Sequence, residues 1–138
     1  AILTSGTYGV LSLSGGEDDF AYGIPLSYVY LDGNLCFHCA PEGEKLARLQ
    51  KNNKVSFCVV DKANPLPEKF SIEYSSAIVF GTAEIVSDED RLKVLLAFID
   101  KYSPDYPKEG AAYATSSQHK CLAIRLTCEH VTGKARKI

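Results

Sequence analysis

The sequence predicts a mostly β, α+β domain, built as an antiparallel barrel with helices at its rim. Six segments have the apolar alternation or the branched and aromatic content of strands, and only two have the spacing of an amphipathic helix. Strands and helices do not alternate regularly, so a parallel sheet of βαβ units is not indicated. The chain of 138 residues has no internal repeat or long linker, which predicts one domain over residues 1–138.

The predicted strands are recognised by their side chains and by the turns between them. They cover residues 7–14, 24–31, 35–40, 54–61, 70–86 and 121–130. The sequence GGEDD at 15–19 supplies turn residues after the first strand, and Asp32-Gly33 between the second and third is a strong hairpin signal. The Pro-containing stretch 63–69 separates the fourth strand from the fifth, in which Gly81 predicts a bend or bulge.

Two segments carry the helical period. The first is the short stretch 42–52, in which Leu46 and Leu49 share one face. In the second, apolar residues repeat at helical spacing at Leu92, Leu95, Leu96 and Ile99. Ser87 and Asp90 precede that repeat and form a helix-capping signature. Both helices are expected at the rim of the barrel.

Composition and charge exclude several classes of function. Fifteen Lys and Arg against seventeen Asp and Glu give a net charge of −2, without the basic excess of a nucleic-acid-binding protein. No apolar stretch approaches the roughly 20 residues that cross a bilayer, and the N-terminus has no secretory signal pattern. A cytoplasmic protein without a membrane or nucleic-acid partner is therefore expected. The chain contains no Met and does not begin with one, so we expect either that an N-terminal piece is missing or that methionines are modified.

The cysteines are expected to be reduced, mostly buried thiols, because five is an odd number and the chain is long enough to bury its own core. Cys36-x-x-Cys39 followed by Cys58 has part of a zinc-ribbon spacing, but Asp61 stands where the fourth ligand belongs. In a strand, Cys36 and Cys39 point to opposite faces. Neither a metal site nor a thioredoxin-like redox pair is therefore expected.

The segment 37–45 is the strongest candidate for a ligand site. A strand ends there and a helix begins with Lys45 in its first turn, and free backbone N–H groups beside a mobile cation favour a phosphate. The same spacing is also that of an ordinary solvent-facing lysine beside a turn. His38 could donate a hydrogen bond, act as a general acid, ligate metal or haem, or be a satisfied, partly buried histidine.

Three further features leave alternatives open or exclude known sites. Ser75 and Ser76 interrupt an apolar strand, and they either face a polar ligand or allow close packing. The basic sequence GKARK at 133–137 is expected to be a solvated tail. P-loop, Rossmann and Gly-x-Ser-x-Gly patterns are absent, so the sites that these motifs mark are not indicated.

At these residues the sequence resembles the pyridoxamine 5′-phosphate oxidase-like split-barrel flavoproteins, and most closely their nitroimidazole-resistance branch. The resemblance spans nearly the whole chain. It is carried by YGVLS at 8–12, YGIPLSY at 22–28, FHCA at 37–40 with Gly43 and Lys45, N-x-VSF at 53–57, Y-x-S at 74–76, VFG at 79–81, DKYSP at 100–104 and H-x-TGKA at 130–135.

The resemblance implies a six-stranded antiparallel split barrel that forms a homodimer and binds FMN in a groove at the subunit interface. The residues that it implies as FMN contacts are Leu26, Ser27, Tyr28, His38, Cys39, Ala40, Lys45 and Ser76. Among them, Lys45 matches the phosphate-binding lysine. Glu44 departs from the family, because many relatives carry a basic residue there, and Arg48 is one turn away as a candidate substitute.

The resemblance further implies an FMN-dependent oxidoreductase that reduces a small molecule, with nitroimidazole-like nitro compounds as the substrate class and His38 as a proton donor. The chain offers no obvious basic set for a second phosphate, so pyridoxamine 5′-phosphate itself and vitamin B6 synthesis are not predicted. The alternatives are a non-catalytic flavin- or haem-binding module, with His38 as the axial-ligand candidate, and a structural dimer with an empty groove.

Overall fold

The computed structural model describes residues 2–15 and 19–137, and its main feature is one antiparallel sheet that curls into a barrel. The strands are β1 (Gly9–Leu13), β2 (Tyr22–Leu26), β3 (Val29–Leu31), β4 (Asn34–Cys39), β5 (Lys54–Leu66), β6 (Ser71–Ile85) and β7 (Leu122–Arg136), in the order β2-β1-β5-β6-β7-β4-β3. The helices are α1 (Ile2–Ser5), α2 (Glu44–Lys51), α3 (Asp88–Tyr102) and α4 (Pro107–Ser117). The predicted α+β class and antiparallel barrel are confirmed.

The predicted number of six strands is wrong by one, because the run 24–31 contains two strands. β2 pairs with β1, and β3 pairs with β4 at the other edge of the sheet. Only Ser27 and Tyr28 connect them, and the path from Leu26 to Val29 spans about 11 Å at most. The two edge strands are therefore neighbours, and the barrel is open along this line, which we call the seam.

Side chains at the end of α3 hold the seam together. The Tyr102 hydroxyl lies 2.6 Å from the Thr7 carbonyl oxygen and 2.9 Å from that of Tyr28, and it accepts from the Tyr28 N–H at 3.1 Å. Lys101 donates to the Tyr28 carbonyl at 2.9 Å, with its Nζ 3.7 Å from the centroid of the Tyr28 ring. The buried Tyr28 hydroxyl donates to the Leu3 carbonyl at 2.7 Å, and burial raises the pKa of Tyr28 to about 12.

Replacing Tyr102 with phenylalanine is expected to lower the free energy of unfolding by about 1–2 kcal/mol, because the Tyr28 N–H then loses its acceptor. Chemical denaturation at one fixed protein concentration measures the change. Tyr106→Phe is the matched control, since the Tyr106 side chain is exposed. Identical midpoints for the wild type and Tyr102→Phe would show that the seam does not depend on this hydroxyl.

Two apolar clusters form the core. The barrel interior holds the fully buried side chains of Leu11, Leu13, Tyr28, Leu35, Phe37, Phe57, Val59, Val79, Ile124 and Leu126. A smaller cluster between the sheet and α3 contains Val29, Cys36, Val86, Val94, Phe98 and Ala123. Helix α3 thus covers the outer face of β3, β4 and β7. The outer face of β1, β5 and β6 leaves Val10, Val60 and Phe80 exposed.

Two glycine signals in the sequence are confirmed. Asp32 and Gly33 both have positive φ, 54° and 82°, and form the two-residue turn of the β3–β4 hairpin. The β6–β7 register shifts at Gly81, where β7 contains one extra residue, Glu129. A Cβ at Gly81 would stand 1.9 Å from the Thr127 carbonyl oxygen, so the bulge admits only glycine.

Several boundaries differ from the predicted ones. β5 continues to Leu66 through the stretch that was expected to separate two strands, and β7 continues to Arg136 through most of the expected tail at 133–137.

Both predicted helices are confirmed, with Ser87 accepting from the Asp90 N–H at 3.3 Å. α1 and α4 were not predicted. Of the predicted turn at 15–19, residues 16–18 lie outside the described residues. No helix in the described ranges is long and apolar enough to span a bilayer.

Candidate functional site

Most predicted site residues gather where β4 ends beside the seam. The His38 ring on the outer face of β4 packs edge-on against Phe98 of α3, with 4.6 Å between the centroids. Phe98 stacks on Tyr102 at 5.8 Å, and Tyr102 is hydrogen-bonded to Tyr28 at the seam. The fold therefore groups the seam residues with His38.

Lys45 lies in the first turn of α2, close to His38. Burial and then the charge of Lys45 lower the pKa of His38 below its ordinary value of 6.5. Burial raises the pKa of Cys39, and the charge of Lys45 opposes that shift. The charge of Lys45 therefore influences both side chains at the end of β4. That this lysine and FHCA form one ligand site stays a prediction.

The N-terminus of α2 is open. No side chain of the described residues caps it, and Gly43 before it has a φ of 138°, which favours glycine. A Cβ at Gly43 would meet no atom within 4 Å, so there is free space where the helix begins. Backbone N–H groups at such a terminus are ready to bind an anion.

The other predicted residues near the seam differ in whether their side chains are accessible to a ligand. Leu26 is half-buried, whereas Ser27 and Ala40 are exposed. Tyr28 and Cys39 point into the barrel core. These two residues can therefore offer a ligand only backbone atoms, and those of Tyr28 are already bonded to α3.

Ser76 lies apart from the rest of the predicted site. It stands opposite Lys134 on β7, whereas His38 stands opposite Ala123 of the same strand. These positions of β7 are 11 residues apart (134 − 123), which is about 36 Å along an extended strand. The curl of the sheet shortens the direct distance, but His38 faces α3 and Ser76 faces the outer side that α3 leaves open. One copy of the chain does not present both side chains to one ligand.

A cleft of about 270 Å³ opens beside His38. It is lined by His38, Leu95, Phe98, Ile99, Tyr113, Ala114, Ser117, Lys120 and Cys121. Apolar walls with a few polar groups are typical of a small-molecule site, and they suit a flat aromatic ring. Sequence reasoning missed this cleft because two of its walls, α4 and the turn Gln118–Lys120, were not predicted. Pro107 in the first turn of α4 was a signal that could have found it.

Arg48 does not serve the helix N-terminus. Its guanidinium donates to the carbonyls of Phe20 at 2.7 Å and Ser14 at 3.3 Å, and it pairs with Asp19 and Glu44, each at 3.3 Å. The side chain is buried and ties the segment before β2 to α2. It therefore balances the charge of Glu44, and Lys45 remains as the cation of the first turn.

The two CFHC thiols lie on opposite faces of β4, as predicted. Cys36 packs in the cluster under α3, and Cys39 packs inside the barrel. Burial raises the pKa of Cys36 to about 11. All five cysteines are free thiols.

Known proteins share this architecture. A sequence model of the family described as pyridoxamine 5′-phosphate oxidase matches residues 1–135. A proposed 5-nitroimidazole antibiotic resistance protein from Bacteroides thetaiotaomicron has a TM-score of 0.80 at 20% identity, over 97% of this chain and 80% of that one. The FAD and haem binding protein from Mycobacterium smegmatis has a TM-score of 0.79 at 18% identity, over 99% and 69%.

A FAD-binding protein from Mesorhizobium loti has a TM-score of 0.69 at 22% identity, over 99% of this chain and 91% of that one. At these identities the structural likeness shows a shared fold. No curated protein sequence matches the chain.

Proposed function

The chain belongs to the pyridoxamine 5′-phosphate oxidase family, and from this premise we propose that it is a flavoprotein with FMN as its cofactor. The observation that carries the proposal is the N-terminus of α2, which no described side chain caps and which has Lys45 in its first turn. The charge of Lys45 influences His38, which lines the cleft. A phosphate suits this terminus, because the helix dipole and the lysine both favour negative charge. The likeness to FAD-binding proteins supports a flavin.

The residues around the cleft fit a flavin mononucleotide. Lys45 and the α2 backbone would hold its phosphate, and the apolar cleft walls would take a flat ring. A single first-turn cation matches one phosphate, because Glu44 is acidic and Arg48 is engaged elsewhere. This favours FMN over FAD at this terminus.

We propose that the protein is an oxidoreductase acting on a small, flat substrate such as a nitro-aromatic compound. A bound flavin supplies the chemistry, taking two electrons from a reductant and passing them to an acceptor. His38 would donate a proton from a ring nitrogen of its protonated form as the substrate is reduced. The largely apolar cleft and the likeness to a proposed nitroimidazole resistance protein support this substrate class.

We also propose a homodimer in which two copies share each flavin. Ser76 and His38 belong to different sides of one barrel, so both contact one flavin only if a second copy supplies Ser76. The face around Ser76 is suited to such a contact, because Val10, Val60 and Phe80 are exposed there at 37%, 51% and 43%. The five free thiols support the cytoplasm as the compartment.

Titration with FMN tests the proposal. We expect quenching of flavin fluorescence and a higher melting temperature in the wild type. Lys45→Ala is expected to weaken FMN binding at least about tenfold and to leave riboflavin binding unchanged, since riboflavin has no phosphate. Lys51→Ala, in the last turn of the same helix, is the matched control.

Two outcomes would contradict this account. If FMN changes neither the fluorescence nor the melting temperature of the wild type, the proposed function is wrong. A Soret band in the purified protein would favour the haem-binding alternative instead, with His38 as the ligand.

A further inference from the structure

We infer that Tyr74, Ser76, Lys134 and Arg136 form a binding face for a phosphate monoester, which we call the cationic face. The inference rests on the proposed function, because it assigns this face to a nucleotide that is held between two copies. Its ligand chemistry is a dianionic phosphate beside an aromatic or sugar group. FMN from the partner's site carries such a group, and so does NADPH at its 2′ position.

The strand register builds this face. Ser76 stands opposite Lys134, and Tyr74 stands opposite Arg136. Because side chains two apart share one side of a sheet, all four lie on the same outer side of β6 and β7. Lys134 Nζ lies 5.8 Å from the centroid of the Tyr74 ring. A ligand that reaches the Ser76 hydroxyl is therefore within reach of both cations and the ring.

The two cations lack a counter-charge. Ion pairs at 3.3 Å or less involve Arg48, Arg91, Lys93 and Arg125. In the part of the chain that the structure describes, Lys134 and Arg136 make no such pair, and both are exposed. Two residues apart on one strand, they stand about 7 Å from each other. A pair of adjacent cations without a carboxylate is typical of a surface that attracts an anion.

Glu73 and Asp61 are the carboxylates nearest to this face among the described residues. Glu73 alternates to the opposite side of β6 from Tyr74. Asp61 occupies the β5 bulge opposite the Ser76 region. The four residues of the cationic face therefore contribute two positive charges and no carboxylate.

A phosphate monoester fits this arrangement better than a carboxylate does. Its two negative charges match the two cations, and its several oxygens can accept from Lys134, Arg136 and the Ser76 hydroxyl together. At the α2 terminus, Lys45 alone balances a dianion. A second copy that places Ser76 at the flavin would also place Lys134 and Arg136 there, because they lie beside Ser76. These two cations would then provide the positive charge that the acidic residue Glu44 cannot provide.

Binding measurements on the full chain test the inference. Dissociation constants for FMN and riboflavin are measured on the flavin-free protein, and those for NADPH and NADH on the FMN-loaded protein. We expect Lys134→Gln and Arg136→Gln each to weaken FMN or NADPH at least about tenfold. Riboflavin and NADH lack the monoester and are expected to bind unchanged. Lys54→Gln is the matched control, since Lys54 is an exposed lysine at the other end of β5, opposite Thr82.

The outcomes separate the two sources of phosphate. A loss confined to FMN identifies the flavin phosphate, and a loss confined to NADPH identifies the reductant. Unchanged affinities for both, or an equal loss for riboflavin, would overturn the inference while leaving the proposed function intact. Failure of the wild type to bind any flavin would overturn both.

Discussion

Replacing His38 with alanine is expected to leave FMN bound and to lower the turnover of a nitro-aromatic substrate by about 10²–10⁴-fold, the usual contribution of a general acid. The phosphate contacts proposed at Lys45 do not involve this side chain, so we expect the affinity for FMN to be retained. The imidazole lines the cleft beside Phe98 and is the titratable group with a lowered pKa there. Steady-state kinetics with a fixed reductant measure the change.

The pH dependence of turnover provides a second, independent test of the role of His38. Burial and then the charge of Lys45 lower the pKa of His38 below 6.5, so its ring is mostly neutral at pH 7. If the protonated ring is the donor, turnover rises as the pH falls below 6.5 and levels off below the lowered pKa. His38→Ala is expected to lose this rise.

A suitable control for both measurements is His119→Ala, because His119 is exposed and does not line the cleft. Unchanged kinetics and an unchanged pH profile in His38→Ala would show that this histidine takes no part in proton transfer. Loss of bound FMN in the variant would instead assign His38 to cofactor binding.

Replacing Phe57 with alanine is expected to lower the free energy of unfolding by about 3–5 kcal/mol, a large part of the 5–15 kcal/mol typical of a domain. Its ring is fully buried at the centre of the barrel. The ring centroid lies 5.1 Å from that of Tyr28 and 4.9 Å from that of Phe37. The truncation leaves a cavity between strands that cannot close without moving the seam residue Tyr28.

The matched control is Phe70→Ala, because the Phe70 ring at the tip of the β5–β6 hairpin is 97% exposed. Its loss is expected to change the stability by no more than about 0.5 kcal/mol. Denaturant titrations of both variants at one protein concentration give the comparison. A shift in Phe57→Ala as small as that of Phe70→Ala would mean that the barrel is not centred on this ring.

The sequence predicts the strands well where one side of the sheet is buried. In β7, the buried Ile124 and Leu126 alternate with the half-buried Arg125 and the exposed Thr127, and the pleat turns that pattern directly into an inner and an outer face. The break between β2 and β3 at the seam could not be predicted in this way. Tyr28 is large and buried, so the sequence around it has the pattern of one continuous strand. The break depends on hydrogen bonds from Tyr28 to Tyr102, which is 74 residues later in the chain, and a local sequence pattern cannot indicate such a contact.

Helix α4 escaped prediction for a related reason. Its buried residues are Gly110 and Ala114, so no apolar stripe marks its inner face. A Cβ at Gly110 would stand 2.2 Å from Ile99, which shows how closely α4 packs on α3. The cleft beside His38 depends on this packing, and for that reason it could not be predicted from the sequence.

The candidate site was predictable where its residues are close in sequence. His38 and Lys45 belong to one strand-turn-helix unit, and local spacing is enough to bring them together. Lys134 and Arg136 were expected in a solvated tail, because a run of basic residues near a chain end is usually exposed. Only the pairing of β7 with β6 puts them beside Ser76.

A mixed dimer tests the shared flavin site most directly. Chains carrying Lys45→Ala and Ser76→Asp are expressed together with different tags, and the heterodimer is isolated and titrated with FMN. Either homodimer is expected to bind FMN weakly, whereas the heterodimer contains one site with both native residues and is expected to bind one FMN per dimer at wild-type affinity. A heterodimer without any tight site, or a wild-type chain that binds FMN as a monomer, would contradict the account.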